Sequence, residues 1–353
     1  MSDDITKVNT EELKSYLSNY DGPPVRIMEV CGTHTHEIFR QGIRRILSPN
    51  IKLISGPGCP VCVTPAGYID EACYLARQGC VITTFGDLVR VPGNESSLAQ
   101  ERAKGAAIKV VYSPLDAEDY AKANPDKQVV FLSVGFETTT PSSCIAVRNA
   151  MRDGIKNFAL LTANKTMPGA YDAMRDSTDA YLYPGHVHAI TGTALLEELA
   201  QEGMSGVVAG FTSDELLTAL AVTVRKFNEG KPFFVNCYPR VVRAEGSPRA
   251  RGIVSSMMEE EDAIWRGIGI IPNSGMKLKE EYSEYDARVK FDVPKPGADK
   301  VTGCRCGEVL RGMIEPSKCP LYGKVCKPDH PVGACMVSSE GACSAFYMYG
   351  GEV

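Results

Sequence analysis

The stretch IMEVCGTHTHEI at residues 27–38 decides the fold. Its apolar run is typical of a strand, and a turn of cysteine, glycine and threonine leads from it into a helical pattern. Residues 131–142, FLSVGFETTTPS, repeat this layout. The repetition predicts two related α/β domains, because a strand that passes through a short turn into a helix is the building unit of parallel sheets.

The same alternation extends outward along most of the chain. Short β-branched runs lie at residues 25–30, 51–54, 81–84, 109–112, 129–134, 158–162, 206–209 and 232–236. Amphipathic helical patterns lie between them at residues 36–47, 65–78, 96–105, 141–153, 194–202 and 214–228. The runs are mostly apolar rather than alternating, as expected of parallel strands that helices cover on both faces. The predicted fold class is α/β, with two similar doubly wound parallel-sheet domains and a small cysteine-rich domain.

Changes in composition suggest the domain boundaries. The predicted units are an N-terminal helix packed on the rest, two α/β domains and a cysteine-rich domain, at residues 1–20, 21–122, 123–245 and 246–353. The helix is expected over 4–20, with Thr10 as its N-cap. The polar segment 116–128 lies near the boundary between the α/β domains. Beyond them the alternation ends, and residues 245–252 and 272–291 are predicted to be irregular.

Composition excludes several classes of protein. Of the 353 residues 44% are apolar and 23% charged, with a net charge of −5, which is typical of a globular protein. Because no run of Lys or Arg exceeds the pair Arg44–Arg45, no nucleic-acid partner is expected. We see neither a secretory signal nor the roughly 18 apolar residues of a membrane span. We therefore expect a cytoplasmic protein whose cysteines serve metal binding or redox chemistry.

The CGTHTH motif at residues 31–36 follows a predicted strand and opens a helix. Ligands of open parallel sheets bind beyond the carboxyl ends of the strands, so this turn is a candidate site. A thiol at a helix N-terminus favours the thiolate, which binds metals and attacks electrophiles. Cys31 is the candidate nucleophile or metal ligand, and His34 a second ligand or proton donor. A buried structural cysteine is the alternative.

The CPVC motif at residues 59–62 follows the next strand. A C-x-x-C pair at a strand-to-helix turn is typical of a redox dithiol, and Pro60 helps to hold the sulfurs of Cys59 and Cys62 close. Half of a zinc site is the alternative, although no second C-x-x-C follows.

Two further turns carry polar side chains. The SVGFETTT turn at 133–140 offers Glu137 and several hydroxyls to an anion or substrate, although such turns are usually helix caps. The YPGHVH segment at 183–188 holds His186 and His188, for which metal binding competes with a structural role. The remaining isolated cysteines are predicted to be core thiols: Cys73, Cys80, Cys144 and Cys237.

The tail is dense in thiols, with six cysteines at Cys304, Cys306, Cys319, Cys326, Cys335 and Cys343. It lacks the ferredoxin spacing and the paired knuckles of zinc modules. Four cysteines suffice for a cubane iron–sulfur cluster, and two spare thiols beside it can exchange electrons with it. A four-cysteine zinc site is the alternative.

Together, the long motifs resemble those of the HypD family of hydrogenase maturation proteins, in the same order and over nearly the full length. They are CGTHTHE (31–37), GPGCPVC (56–62), SVGFETT (133–139), GCRCGEVLRG (303–312) and ACMVSSEGAC (334–343). The resemblance implies a role in assembling the Fe(CN)2CO unit of NiFe hydrogenases. It also implies a stable complex with the small protein HypC, transient cyanide transfer from HypE, and a chain that is monomeric on its own.

The resemblance assigns roles to individual cysteines. It implies that Cys31 holds the iron that carries CN and CO, with His34 nearby, and that Cys59 and Cys62 are the family's dithiol. In the tail, which resembles the cluster region of ferredoxin:thioredoxin reductase, it implies 4Fe–4S ligands at Cys304, Cys319, Cys326 and Cys343 and a redox-active pair at Cys306 and Cys335. One departure from the family pattern is His188, where a small residue is expected.

These assignments describe an assembly scaffold with redox activity rather than a conventional turnover enzyme. The cluster and the dithiols would supply electrons to the iron at Cys31. Two alternatives remain: a stand-alone thiol–disulfide oxidoreductase of the ferredoxin:thioredoxin reductase kind, and a structural zinc protein.

Overall fold

The structure, a computed structural model, describes residues 9–300 and 302–350. Its strands are β1 (Val25–Glu29), β2 (Ile51–Ser55), β3 (Val81–Thr84), β4 (Ile108–Val110), β5 (Val129–Gly135), β6 (Phe158–Lys165), β7 (Ala180–Pro184), β8 (Gly206–Ala209), β9 (Phe234–Asn236), β10 (Met258–Trp265) and β11 (Gly269–Leu278). Its α-helices are α1 (Thr10–Ser18), α2 (Gly32–Arg40), α3 (Ile43–Ile46), α4 (Pro60–Val63), α5 (Ala66–Arg77), α6 (Leu98–Ala103), α7 (Pro114–Ala123), α8 (Thr140–Asp153), α9 (Pro168–Ala173), α10 (Gly185–Thr191), α11 (Ala194–Gln201), α12 (Ser213–Phe227), α13 (Pro248–Met257), α14 (Ala287–Lys290), α15 (Cys306–Leu310) and α16 (Ala342–Tyr349). Short 3-10 helices lie at Gly86–Arg90, Arg175–Ser177, Glu280–Tyr285, Pro316–Lys318 and Ala334–Met336.

The strands form two sheets. Sheet A has the order β2-β1-β7-β8-β9, and all its strands are parallel. Sheet B has the order β10-β11-β6-β5-β3-β4, in which β3 to β6 are parallel and the β10–β11 hairpin is antiparallel. The predicted α/β fold with two mainly parallel sheets and a cysteine-rich C-terminal region is confirmed.

The chain passes between the two sheets three times. It forms β1 and β2 in sheet A, β3 to β6 in sheet B, β7 to β9 in sheet A, and β10 and β11 in sheet B. Each sheet therefore takes strands from both predicted α/β ranges, 21–122 and 123–245, and neither sheet is built from one range alone. The domain boundaries themselves stay predictions.

Each predicted strand has a counterpart, with ends that differ by up to three residues. The strand β7 is absent from the prediction because its five residues, two of them tyrosines, end in a proline that interrupts the apolar run. The helix predicted over 36–47 is two helices, because Gly42 adopts a left-handed φ of 68° between α2 and α3.

The irregular structure predicted after residue 245 is wrong. Residues 248–278 form α13 and the β10–β11 hairpin, which extends sheet B. The strand β10, with the sequence MEEEDAIW, is an edge strand whose middle is largely exposed. Such a strand needs no apolar run, so its pattern resembles that of a loop.

The N-terminal helix is shorter than predicted, and its cap lies one residue earlier. The cap is Asn9, whose side chain accepts a hydrogen bond from the Glu12 N–H at 3.0 Å, rather than Thr10. Leu13 and Leu17 of α1 are buried in a core that α12 shares. Residues 4–8 of the prediction lie outside the described residues.

The packed interior brings the tail against both sheets. One core contains Cys59 and Cys62 together with Trp265 and tail thiols such as Cys306 and Cys335. The tail is therefore part of the main packed body around the sheets rather than an appendage. Within the described part of the chain, no helix is long and apolar enough to cross a membrane.

Candidate functional site

A cleft of about 700 Å³ lies where the carboxyl ends of the two sheets meet. Loops that follow β1, β2 and β7 of sheet A and β3, β4 and β5 of sheet B line it. In both sheets the strand order reverses at the centre, between β1 and β7 and between β5 and β3. Open α/β sheets bind ligands at such reversals, so the cleft is the candidate site.

The repeated motifs of the sequence face each other across this cleft. The lining includes Cys31 and Thr33 from the first motif and Phe136 and Thr139 from the second. The first motif follows β1 and the second follows β5, which occupy corresponding places in the two sheets. The two similar segments, residues 27–38 and 131–142, therefore contribute opposite sides of one site.

The two thiol loops touch through their main chains. The strands β1 and β2 are parallel neighbours, so their following loops start side by side, and the Gly32 N–H donates to the Gly58 carbonyl at 2.9 Å. A Cβ atom on Gly58 would overlap the backbone of Cys31. Only glycine fits at this position without displacing the loop that carries Cys31.

Cys31 is buried at the N-cap of α2 and lines the cleft. Burial raises the pKa of its thiol to about 12, although the backbone N–H groups of His34 and Thr33 act in the opposite direction. The helix N-terminus thus favours the thiolate as expected, but loss of water outweighs it. In the free protein Cys31 is a protonated thiol.

Cys59 and Cys62 lie together under the cleft floor. Cys59 caps α4, the Cys62 N–H donates to its sulfur at 3.2 Å, and the Cα atoms are 5.2 Å apart. The two sulfurs lie at disulfide-bonding distance. Pro60 begins α4 and lines the cleft, while the two sulfurs are buried beneath it. The predicted close approach of these sulfurs is confirmed.

All six tail cysteines line one small cavity. Cys304, Cys306 and Cys335 lie in this lining together, and the Val332 N–H donates to the sulfur of Cys326 at 3.4 Å. The rest of the lining is largely apolar, for example Leu321. Among the described residues, no group of three or more His, Cys, Asp or Glu side chains could hold a single metal ion. The six thiols are therefore spread around the wall of a cavity and do not converge on a single metal position.

The tail also contacts both thiol loops. The 3-10 helix Ala334–Met336, which contains Cys335, packs on α4, and α16 packs on α2. Glu340 reaches the cleft, where its carboxylate accepts a hydrogen bond from the Thr33 hydroxyl at 2.7 Å. The tail thus forms part of the cleft wall.

His34 follows Cys31 closely in the sequence, but its side chain points away from the cleft. Its Nε2 lies 2.9 Å from the Gly210 carbonyl, its ring packs 4.7 Å from that of Phe211, and its side chain is fully buried. Burial lowers the pKa of His34 to about 4, so its imidazole is neutral. Its predicted role as ligand or proton donor stays a prediction, and the geometry gives it no direct access to the cleft.

Glu137 also lies apart from Cys31. It lines a separate cavity of about 300 Å³ with Thr140, Thr166 and Thr191. Its Oε1 accepts a hydrogen bond from the Met167 N–H at 2.8 Å, and burial raises its pKa to about 7. Its predicted part in anion or substrate binding stays a prediction, and belongs to this second cavity.

The two histidines of the YPGHVH segment point in different directions because the segment is helical. His186 lines the cleft and stacks on Phe211 at 3.9 Å between ring centres. His188 is buried, with Nε2 3.2 Å from the Tyr171 hydroxyl and Nδ1 3.1 Å from the Gly192 carbonyl. The residue that departs from the family pattern therefore has structural partners.

Sequence reasoning assigned no role to two residues of the cleft, Glu340 and His186. Glu340 lies between tail cysteines in a polar stretch that shows no periodicity, so only the packing of the tail on α2 reveals it. For His186 the sequence leaves metal binding and a structural role open. Of the predicted core thiols, Cys73 and Cys144 are buried as expected, as is Cys80, whereas Cys237 is half-buried.

Comparisons of the sequence with known proteins identify its relatives. A family model described as "HypD: Hydrogenase formation hypA family" matches residues 5–350. Hydrogenase maturation factor HypD2 of Bradyrhizobium diazoefficiens is 43% identical over 341 residues, which cover 93% of this chain and 90% of the relative. Hydrogenase maturation factor HypD of Rhodobacter capsulatus is 42% identical over 339 residues, with the same coverage. A putative hydrogenase expression/formation protein of Methanocaldococcus jannaschii is 40% identical over 329 residues, 92% of each chain.

The contact between the thiol loops predicts a strong effect of Gly58→Ala. The new methyl group has to displace the backbone of Cys31, so we expect a loss of about 3 kcal/mol in the free energy of unfolding in urea. Gly252→Ala is the matched control, since its methyl group meets no atom within 4 Å inside α13. It should gain about 0.5–1 kcal/mol. If both substitutions changed the free energy of unfolding by the same amount, the close contact between Gly58 and the backbone of Cys31 would be contradicted.

The raised pKa of Glu137 predicts a pH-dependent stability. Because its folded pKa of about 7 exceeds its usual value near 4.5, the folded state holds this proton more tightly than the unfolded state. The contribution of protonated Glu137 to the free energy of unfolding is complete below pH 4.5. It is lost as the pH rises through 7, by up to about 3 kcal/mol. Glu137→Gln should remove this part of the pH profile of unfolding, whereas Glu198→Gln on an exposed surface should leave it unchanged. A profile that Glu137→Gln does not alter would contradict the assignment.

Proposed function

The chain belongs to the HypD family of hydrogenase formation proteins, and from this premise we propose that it is a scaffold for assembly of the Fe(CN)2CO unit of NiFe hydrogenases. Hydrogenase maturation is the function that the family shows. The finer role rests chiefly on one observation: Cys31 lines a cleft directly above the Cys59–Cys62 pair. A ligand in the cleft can reach Cys31 from outside, while the dithiol lies behind it.

Iron is the cargo in this proposal, and Cys31 is the thiol that holds it. A soft thiolate suits Fe(II), particularly iron that also carries cyanide and carbon monoxide. Binding requires Cys31 to lose its proton, so iron capture and proton release are coupled. The buried surroundings of Cys31 limit the access of water to the labile product.

The tail supplies the donors for a resident 4Fe–4S cluster. Its cavity is lined by thiols and apolar side chains, and thiols are the ligands that such clusters use. Each of the four thiolates binds a different iron, so the sulfurs surround a volume, as they do here. The proposed ligands are Cys304, Cys319, Cys326 and Cys343. When bound, the cluster takes up and releases one electron at a time.

The remaining thiols connect the tail to the cleft. Cys306 and Cys335 line the same small cavity, as the proposed redox pair requires, and the short helix that contains Cys335 packs on α4. Reduction of the Cys59–Cys62 disulfide to two thiols consumes two electrons and two protons. In this proposal the tail pair passes these electrons on from a low-potential one-electron donor.

The proposed partners are HypC, in a stable complex, and HypE, as a transient cyanide donor. The volume of the cleft, about 700 Å³, and the presence of Cys31 in its lining support this proposal, since they leave room for part of a partner beside Cys31. We also propose that the chain acts in the cytoplasm and is monomeric without its partners. The free state of every cysteine other than Cys59 and Cys62 fits a reducing compartment.

A stand-alone thiol–disulfide oxidoreductase is the second candidate, because Cys59 and Cys62 lie at disulfide-bonding distance. The two functions differ in what they require of Cys31. A scaffold needs it for iron, whereas an oxidoreductase that works through the CPVC pair does not.

Cys31→Ala separates these functions. We expect the variant, purified without oxygen, to keep about four iron and four sulfide in the tail but to lose additional iron and to fail in hydrogenase maturation. Cys237→Ala, a half-buried thiol away from the cleft, is the control and should mature hydrogenase normally. Normal maturation by Cys31→Ala, with disulfide turnover on a small dithiol intact, would favour the oxidoreductase.

The division of the tail thiols into four ligands and one pair is tested by two alanine substitutions. Cys319→Ala should lose most iron and sulfide and its brown colour. Cys335→Ala should retain about four iron and four sulfide but fail to release the Cys59 and Cys62 thiols when reductant is added, as measured by thiol labelling. Loss of the cluster from Cys335→Ala, or its retention in Cys319→Ala, would overturn this division.

A further inference from the structure

The tip of the β10–β11 hairpin lies between the two groups of thiols. The Arg266 N–H donates to the Val63 carbonyl at 2.8 Å, one residue after Cys62. On its other side the main chain of Gly267 touches Gly307, one residue after Cys306, so closely that a Cβ on either glycine would overlap the other residue. The tip therefore contacts the backbones of the CPVC and CRCG motifs at once.

The tip is firmly held. Trp265 is fully buried, its indole N–H donates to the Ser274 hydroxyl at 2.8 Å, and its ring stacks on Phe136 at 5.8 Å. Arg311, directly after α15, donates to the carbonyls of Gly267 and Ile268 at 2.8 and 3.0 Å. The position of residue 266 is thus fixed relative to both thiol motifs.

The side chain of Arg266 is unusual in this setting. One terminal nitrogen of its guanidinium is buried and has no hydrogen-bond partner among residues 9–300 and 302–350. Leaving a buried charged donor unpaired costs more than leaving a neutral one. The next residue, Gly267, lies against Gly307, so Arg266 is close to the turn that carries Cys304 and Cys306. An anionic group held by the tail thiols would attract its charge.

We propose that Arg266 is a positioning residue that stabilises the negative charge of the tail cluster and raises its reduction potential. This inference rests on the proposed cluster. A 4Fe–4S core with four thiolates carries about two negative charges when oxidised and three when reduced. A fixed positive charge attracts the more negative form more strongly, and the low dielectric of the buried site strengthens the effect.

The test compares three variants with the wild type under anaerobic conditions. Arg266→Gln removes the charge, Arg266→Lys keeps it, and Arg311→Gln is the matched control that removes a charge and tip contacts without removing Arg266. Iron and sulfide are counted, and the midpoint potential is measured by dithionite titration followed by electron paramagnetic resonance. We expect Arg266→Gln to keep the cluster with a midpoint lower by about 59 mV, a tenfold change in the one-electron equilibrium constant. Arg266→Lys should shift by less than half as much, as should Arg311→Gln.

Several results would overturn the inference. A full cluster with an unchanged midpoint in Arg266→Gln removes the electrostatic role, and equal shifts in Arg266→Gln and Arg311→Gln assign the effect to the position of the tip. If Arg266→Gln assembles no cluster, the result for Arg266→Lys decides between the two explanations. A cluster near the wild-type potential in Arg266→Lys supports the role of the charge. Loss of the cluster from Arg266→Lys as well contradicts that role. A wild-type protein without iron and sulfide overturns the cluster and this inference together.

Discussion

Main-chain contact between the loops that follow β1 and β2 holds Cys31 above the Cys59–Cys62 pair. Parallel pairing places these loops side by side, and the hydrogen bond between Gly32 and Gly58 closes the gap. Because Gly58 has no Cβ, the backbone of Cys31 can lie against it. The relative position of the two loops that carry Cys31 and the Cys59–Cys62 pair is therefore set by backbone geometry rather than by flexible side chains.

The rest of the structure arranges other groups around this contact. The carboxyl ends of the parallel strands of sheet B face those of sheet A, so Phe136 and Thr139 form the opposite wall of the cleft. The tail completes the wall through Glu340 and places its thiols in the same core as the dithiol. Because Glu340 of the tail forms part of the cleft wall, a change in its position also alters the cleft.

The sequence predicts those parts of the structure that depend on local pattern. Buried strands such as β1 and β5 have continuous apolar runs, and the CPVC motif places two thiols on one helical turn, so both were predictable. The exposed edge strand β10 has no such run. The direction of the His34 side chain depends on the contact of α2 with Gly210 and Phe211, which are distant in sequence. Glu340 reaches the cleft only because α16 packs on α2. These features are determined by tertiary packing.

Infrared spectroscopy tests most directly the proposal that iron acquires its diatomic ligands at Cys31. The protein would be purified without oxygen together with HypC, the proposed partner, as wild type and as Cys31→Ala. We expect bands of metal-bound cyanide and carbon monoxide in the wild-type complex and their loss from Cys31→Ala, while the proposed iron and sulfide of the tail remain. Unchanged bands in a Cys31→Ala complex would contradict this proposal.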